Sequence, residues 1–298
     1  MKVTINEIID YYESISINCQ YYGDSNLIIS GFSSLTNYKA GTMTWVKDSS
    51  YFKYTEKEYD LLISSGPLEK GNGNIIICSE PKKAFFTAVE HFFGGIEIQG
   101  EHIGVNTYIG PNVKLGRNVY IGNNCTLDGE ITIEDDTVIY HNVTLVNRVN
   151  IGKRCVIQSG TSIGHDGFGY VKNDDGTMTM IKHFGGVNVG DDVLVAANCS
   201  FERGVIDDTV IGSGTKIDNL CVVGHNVVIG SNVSLIAGTI IYGSVHIGAD
   251  VYIASAIIKN QLHVGENAFV GMGSVVTKDV PDNVIVAGVP AKPIGKKE

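Results

Sequence analysis

No stretch of this chain approaches the roughly 20 consecutive apolar residues that a membrane-spanning helix requires. The opening residues, Met1–Asp10, also lack the apolar core and small-residue cleavage site of a signal peptide. The expectation is a cytoplasmic protein with no membrane span. Positive charge is scarce: 22 Lys and Arg stand against 32 Asp and Glu, for a formal charge of −10. That balance argues against nucleic acid as a partner, because phosphate binding needs a basic face. It also disfavours docking on an acidic carrier protein. Cysteine is limited to six residues, and Cys125, Cys155, Cys199 and Cys221 all fall at one place in a repeat. A cysteine recurring there acts as a small apolar filler, not as half of a disulfide or a metal ligand. No metal requirement is expected.

What the chain has in abundance is a period of six. An aliphatic residue recurs every sixth position from Ile103 to Ile163, again at Val189, Val195 and Phe201, from Ile211 to Ile253, and at Val264, Val270 and Val276. These are 25 positions; at three per coil they make about eight coils. Neither an α-helix nor an ordinary strand repeats on six. Short strands joined by tight corners and stacked as a solenoid do. A second small or branched residue follows four positions later (Val119, Cys125, Val143, Cys155), so two positions per hexad fill the interior. Asn often precedes that second residue, as at Asn118, Asn124, Asn142, Asn198, Asn226 and Asn232, where a corner needs positive φ.

Residues 1–100 lack the period. Short apolar runs (Leu27–Ile29, Leu61–Ile63, Ile75–Cys78) alternate with turns, and a helix is expected from about Ser79, with Ser79 as cap and Ala84, Phe85, Ala88, Val89, Phe92 and Phe93 as its apolar stripe. The reading is a small α/β domain over 1–100, a β-helix over 101–280 and a tail over 281–298.

Three breaks interrupt the sixes: 20 residues are inserted between Ile163 and Val189, four between Phe201 and Ile211, and five between Ile253 and Val264. Insertions in a solenoid are where binding residues gather. If the inserts loop out, counting hexads puts His165, the pair Glu202 and Arg203, and His225 on one edge, one coil apart. At the stacking distance of strands they share roughly 10 Å of that edge. A neutral imidazole can take a proton from an attacking amine near neutral pH, so His225 is the candidate general base. Asn219 or Asp218, at the neighbouring corner, is expected to orient its ring within the chain or across a subunit interface. His183 lies in the long insert, from which it could cover the site.

The repeat matches that of the hexapeptide-repeat acyltransferases; that resemblance, not the period, implies a left-handed coil and a homotrimer. A closer resemblance rests on Gln158–Tyr170, which contains His165 and the run Asp166–Tyr170, on Glu202–Thr209 and on Ile217–Asn226. These are similar to the UDP-3-O-acylglucosamine N-acyltransferases of lipid A synthesis, as are Gly31–Leu35 and Gly41–Tyr51 to that family's nucleotide-binding domain. The resemblance implies His225 as catalytic base with Asn219 nearby. His165, Asp166, Phe168, Tyr170, Glu202 and Arg203 would border the substrate, and Trp45, Asp48 and Tyr51 would hold a pyrimidine base. The family commonly carries Asn where Asp48 stands, and a second His where this chain reads Lys259–His263 in a shorter register.

The stretch Val276–Gly295 resembles the tail of CoA-dependent sugar acetyltransferases, whose last coils line a CoA channel, so Gly243, Lys278 and Lys292 are expected near bound acyl-CoA. The lipid A enzymes continue into helices that engage acyl carrier protein. The expected function is therefore transfer of a short acyl group from acyl-CoA to the amine of a dTDP- or UDP-linked amino sugar for surface polysaccharide. The lipid A reaction on acyl carrier protein is the alternative. A zinc hydratase of the same repeat class would need two His five residues apart, which this chain lacks. A non-catalytic scaffold leaves the aligned His225 edge without a purpose.

Overall fold

The computed structural model describes residues 2–47, 58–67, 73–94 and 102–297. The chain divides into two compact units, Met1–Glu97 and Ile98–Glu298.

In the first unit a five-stranded sheet runs in the order Cys19–Tyr22, Ile75–Cys78, Leu61–Ser64, Thr42–Trp45, Gly31–Phe32, antiparallel only at the Cys19–Tyr22 edge. Two helices pack on it, burying Ile5, Ile8 and Tyr12 from one and Ala84, Phe85 and Ala88 from the other against Met43, Leu61 and Ile76. The second helix, Pro81–Phe93, starts two residues later than expected; Glu80, not Ser79, is its N-cap and makes no side-chain cap, and Pro81 takes the first helical position, where its missing N–H costs nothing. The first helix, Ile5–Ser14, was not anticipated, although Thr4 and Glu7 form a complete capping box.

The second unit is a parallel β-solenoid. Its strands are mostly two residues long, and each inward aliphatic residue stacks on its counterpart in the next coil: Ile121 on Ile139, Val223 on Ile241, Ile229 on Ile247. One face carries an eleven-stranded sheet from His102–Ile103 to the antiparallel closing pair Val284–Ala287 and Lys292–Lys296. The predicted interior is the interior found: Cys125, Val143, Cys155, Val195, Phe201, Val223 and Leu235 are all buried in one continuous cluster. All six cysteines are free thiols. Buried threonines at the same positions are satisfied locally, as when Thr137 Oγ1 donates to Gly152 O at 2.8 Å and accepts from Cys155 N at 3.0 Å. Asn118, Asn124, Asn142, Asn198, Asn226 and Asn232 all turn corners with φ between 55° and 58°. Glycine follows the inward residue because coils approach closely there: a Cβ on Gly230 would stand 2.7 Å from Ala249 N.

The break expected between Ile253 and Val264 is not an insertion. Ile258 occupies an inward position and pairs with Ile241 and Val276, so the hexad is one residue short, with Ser255 closing the tight corner at φ 45°. Val280 and Val286 continue the stack beyond Val276. Among the described residues the solenoid is accordingly longer than about eight coils, with nine complete ones.

Interior stacking predicts the cost of a void. Leu235, 0% exposed, has inward neighbours on the coils above and below. Leu235→Ala is expected to destabilise the fold by about 2–5 kcal/mol, read as a lower midpoint in denaturant.

Candidate active site

The two true insertions, after Ile163 and after Phe201, open at the same corner of the prism. The strand Ser162–His165 pairs with Ser200–Glu202, His165 lying opposite Glu202 across a register shift. The next coil brings His225, whose backbone N–H donates to Glu202 Oε2 at 2.9 Å. The coil after that brings Gly243: a Cβ there would stand 2.6 Å from both Cε1 and Nε2 of His225. His165, Glu202, His225 and Gly243 are thus gathered at one edge.

Hydrogen bonding assigns the tautomer of His225. Asn226 Nδ2 donates to Asp207 O at 3.0 Å, while Asn226 Oδ1 accepts Val205 N–H at 3.0 Å. The same Oδ1 lies 3.2 Å from His225 Nδ1. An amide oxygen only accepts, so Nδ1 carries the hydrogen and Nε2 keeps its lone pair. Asn226 is itself held, at φ 58° and with its N–H on Thr209 Oγ1 at 2.9 Å. Sequence reasoning missed this residue although it adjoins His225. Asn219, expected as the orienting group, does not serve His225 within the chain: its Oδ1 accepts Ala197 N–H at 3.0 Å and its Nδ2 donates to Asp218 at 2.8 Å. It sits at the corner after Ile217, so its side chain locks that other corner.

The other expected residues fall as follows. His165 places Nε2 2.8 Å from Ser200 Oγ and Nδ1 3.3 Å from Asp166 O. Arg203 Nε donates to Gly185 O at 2.6 Å, 4.0 Å from Asp166 Oδ1, which clamps the long insertion to its root. Phe168 and Tyr170 are exposed, their rings 4.9 Å apart. Lys278 is exposed and lies two residues beyond Val276, the position that His225 holds relative to Val223 three coils earlier. Lys292 begins the second strand of the closing hairpin, next to Ala291, whose N–H donates to Val275 O at 2.8 Å.

A groove of about 620 Å³ runs along this edge. Glu202, His225 and Gly243 line one end, and outward-facing Val222, Ile257 and Val275 give it an apolar wall. Lys259 also lines it, a cation that sequence reasoning did not single out. A base with a free lone pair beside an apolar groove can deprotonate an amine while a hydrocarbon chain lies alongside. Among the described residues no cluster of His, Cys, Asp and Glu could hold a metal ion. None of the described helices is long and apolar enough to cross a membrane.

In the first unit, Trp45 lines a separate cleft of about 920 Å³ with Lys47, Lys82, Lys83 and Phe86, its ring edge-on to Phe86 at 6.3 Å. Asp48 and Tyr51 lie outside the described residues.

The repeat, the coil and the gathered edge define a parallel β-solenoid built on a six-residue repeat. The family described as hexapeptide repeat of succinyl-transferase matches residues 102–129 and 130–165. Two UDP-N-acetylglucosamine acyltransferases share the fold: that of Bacteroides fragilis has TM-score 0.58 and 23% identity over 64% of this chain and 72% of its own. That of Francisella novicida has TM-score 0.59 and 24% identity over 65% and 70%. Their likeness makes the solenoid a left-handed β-helix. Within that class, the sequence is similar to proteins named UDP-3-O-acylglucosamine N-acyltransferase. The one from Methylobacterium nodulans is 39% identical over 145 residues, 48% of this chain and 41% of the relative. The one from Ectopseudomonas mendocina is 47% identical over 91 residues, 30% and 26%. The matched stretch thus spans less than half the length of these relatives.

Proposed function

We propose that this protein forms an amide by transferring an acyl group from a thioester to the amine of a UDP-linked amino sugar, with UDP-3-O-acylglucosamine as the acceptor. The observation that carries this reading is His225: its Nδ1 is committed to Asn226, and its Nε2 is free at the head of a groove with an apolar wall. In the reaction, Nε2 takes the proton of the sugar amine as its nitrogen attacks the thioester carbonyl. The tetrahedral intermediate then expels the thiolate, which receives that proton. The Gly243 backbone, directly against the ring, borders the place where the carbonyl would sit. The Trp45 cleft suits the nucleotide, with the indole available to stack on the pyrimidine and Lys47, Lys82 and Lys83 available to the phosphates.

The names of the relatives support this acceptor, and the apolar wall supports a long acyl chain, over the short-acyl donor expected from the sequence. One observation favours the second reading, a short acyl group on CoA and a dTDP- or UDP-linked amino sugar: Lys278 stands on the His225 edge, and its charge would suit a CoA phosphate. Asn219 and Asp218, bonded at their own corner within the chain, would meet His225 only from another copy, as in a homotrimer. Purified protein assayed with acyl-carrier-protein and acyl-CoA donors of graded length, against UDP-3-O-acylglucosamine and dTDP- and UDP-linked amino sugars, separates the readings. Amide formation with a long-chain donor and the 3-O-acyl acceptor is expected. Turnover confined to short acyl-CoA and a sugar with a free 3-hydroxyl would replace the first reading by the second.

A further inference from the structure

The long insertion folds a second imidazole against His225. His183 is 1% exposed, and its ring meets that of His225 edge-to-face, with centroids 5.7 Å apart and planes at 88°. Its Nδ1 lies 2.8 Å from Ile181 O. A carbonyl oxygen only accepts, so Nδ1 carries the hydrogen and Nε2 holds a lone pair. That Nε2 is buried and has no hydrogen-bond partner among the described residues. A buried acceptor without a donor is destabilising, and buried polar groups in native folds seldom stay unpaired.

Other groups at this corner already have partners. Glu202 Oε2 receives the His225 amide, His225 Nδ1 faces Asn226, His165 Nε2 faces Ser200, and Arg203 Nε holds Gly185 O. Over the two imidazoles runs one short segment with glycines where it touches them. A Cβ on Gly169 would stand 3.1 Å from His183 Cε1, and one on Gly167 3.0 Å from His225 Cδ2. Phe168, between these glycines, is 80% exposed. Gly169, against His183, is joined through Phe168 to Gly167, against His225, and Phe168 and His225 both line the groove.

A lone pair selects its ligand. Phosphate oxygens bring only acceptors at neutral pH, a thioester carbonyl likewise, and the hydrocarbon of an acyl chain brings neither, whereas the hydroxyls of a sugar bring donors. We propose that His183 Nε2 is a recognition group for the acceptor sugar, accepting a hydrogen bond from a hydroxyl of the ring whose amine faces His225. The Gly167–Gly169 segment is the cover that shifts to admit it. This rests on the acyl-transfer reading and adds to it a residue that sets acceptor specificity.

Two substitutions separate the lone pair from the ring. His183→Phe keeps an aromatic edge against His225 and removes the acceptor; His183→Gln keeps an acceptor and removes the ring. With the donor that the wild type uses best, His183→Phe is expected to raise KM for the acceptor sugar about 10- to 100-fold, leave KM for the donor unchanged, and be largely rescued by His183→Gln. Independently of turnover, the 15N resonance of His183 Nε2 in the wild-type protein is expected to move from that of an unbonded acceptor when UDP-glucosamine is added. Unaltered acceptor KM in His183→Phe, or an Nε2 resonance indifferent to UDP-glucosamine, overturns the assignment. A wild type that acylates none of the donor and acceptor pairs removes the acyl-transfer reading instead, and the resonance then decides the sugar contact alone.

Discussion

Replacing His225 by alanine is expected to lower kcat about 10²- to 10⁴-fold, the range over which a positioned general base accelerates proton transfer. The solenoid should stay folded, because His225 is a corner residue and not one of the buried stack. Its backbone N–H, the group that Glu202 holds, survives the substitution. The variant should therefore keep the wild-type circular dichroism and melting profile and bind the acceptor sugar while turning it over slowly. Asn226→Ala is the milder counterpart: it frees Nδ1, so the ring loses the partner that keeps the lone pair on Nε2. Wild-type kcat in His225→Ala would remove the imidazole as base and leave the departing thiolate to take the amine proton unaided.

Gly243→Ala should cost about 10²-fold in kcat by a different route. The backbone there does not demand glycine, since Gly243 is absent from the residues with positive φ. The neighbouring ring does. An added Cβ would lie 2.6 Å from His225 Cε1 and Nε2, too close for any contact, so the imidazole must swing away from the groove. A displacement on the order of 1 Å at a reacting group is enough for a loss of that size. Because the change is confined to a corner, stability should move little. The diagnostic result is a fall in kcat with an unshifted unfolding midpoint, and an alanine variant of full activity would mean that chemistry happens away from this face of the ring.

The solenoid was legible because its interior admits two residues per hexad and nothing else. Val119, Cys125, Val143 and Cys155 could be placed inside by counting, and they are inside. The same count put His165, Glu202 and His225 on one corner, since an insertion cannot enter the stack and must loop out. It failed at Ile258, where a hexad of five residues keeps its inward position by a tighter turn at Ser255, a contraction that a strict six-residue count reads as an insertion. Within the chain it did not bring Asn219 to His225: the spacing equals one hexad, but the side chain is bonded to Ala197 and Asp218 at its own corner. The helix Ile5–Ser14 carried a readable signal in the capping box of Thr4 and Glu7.

The sequence alone determined the coil, its filling and the edge on which the imidazole of His225 would stand. All three follow from one repeated requirement, that every short strand bury an aliphatic residue and pair its backbone with the coil before and after. Only the tertiary structure decided that Asn226 fixes the His225 tautomer, that Gly243 leaves the ring its room, and that the insertion after Ile163 returns to bury His183 against it. Those contacts join segments that share no period with the stack; their geometry is set by how an aperiodic loop packs on a finished surface, and no count along the chain contains it.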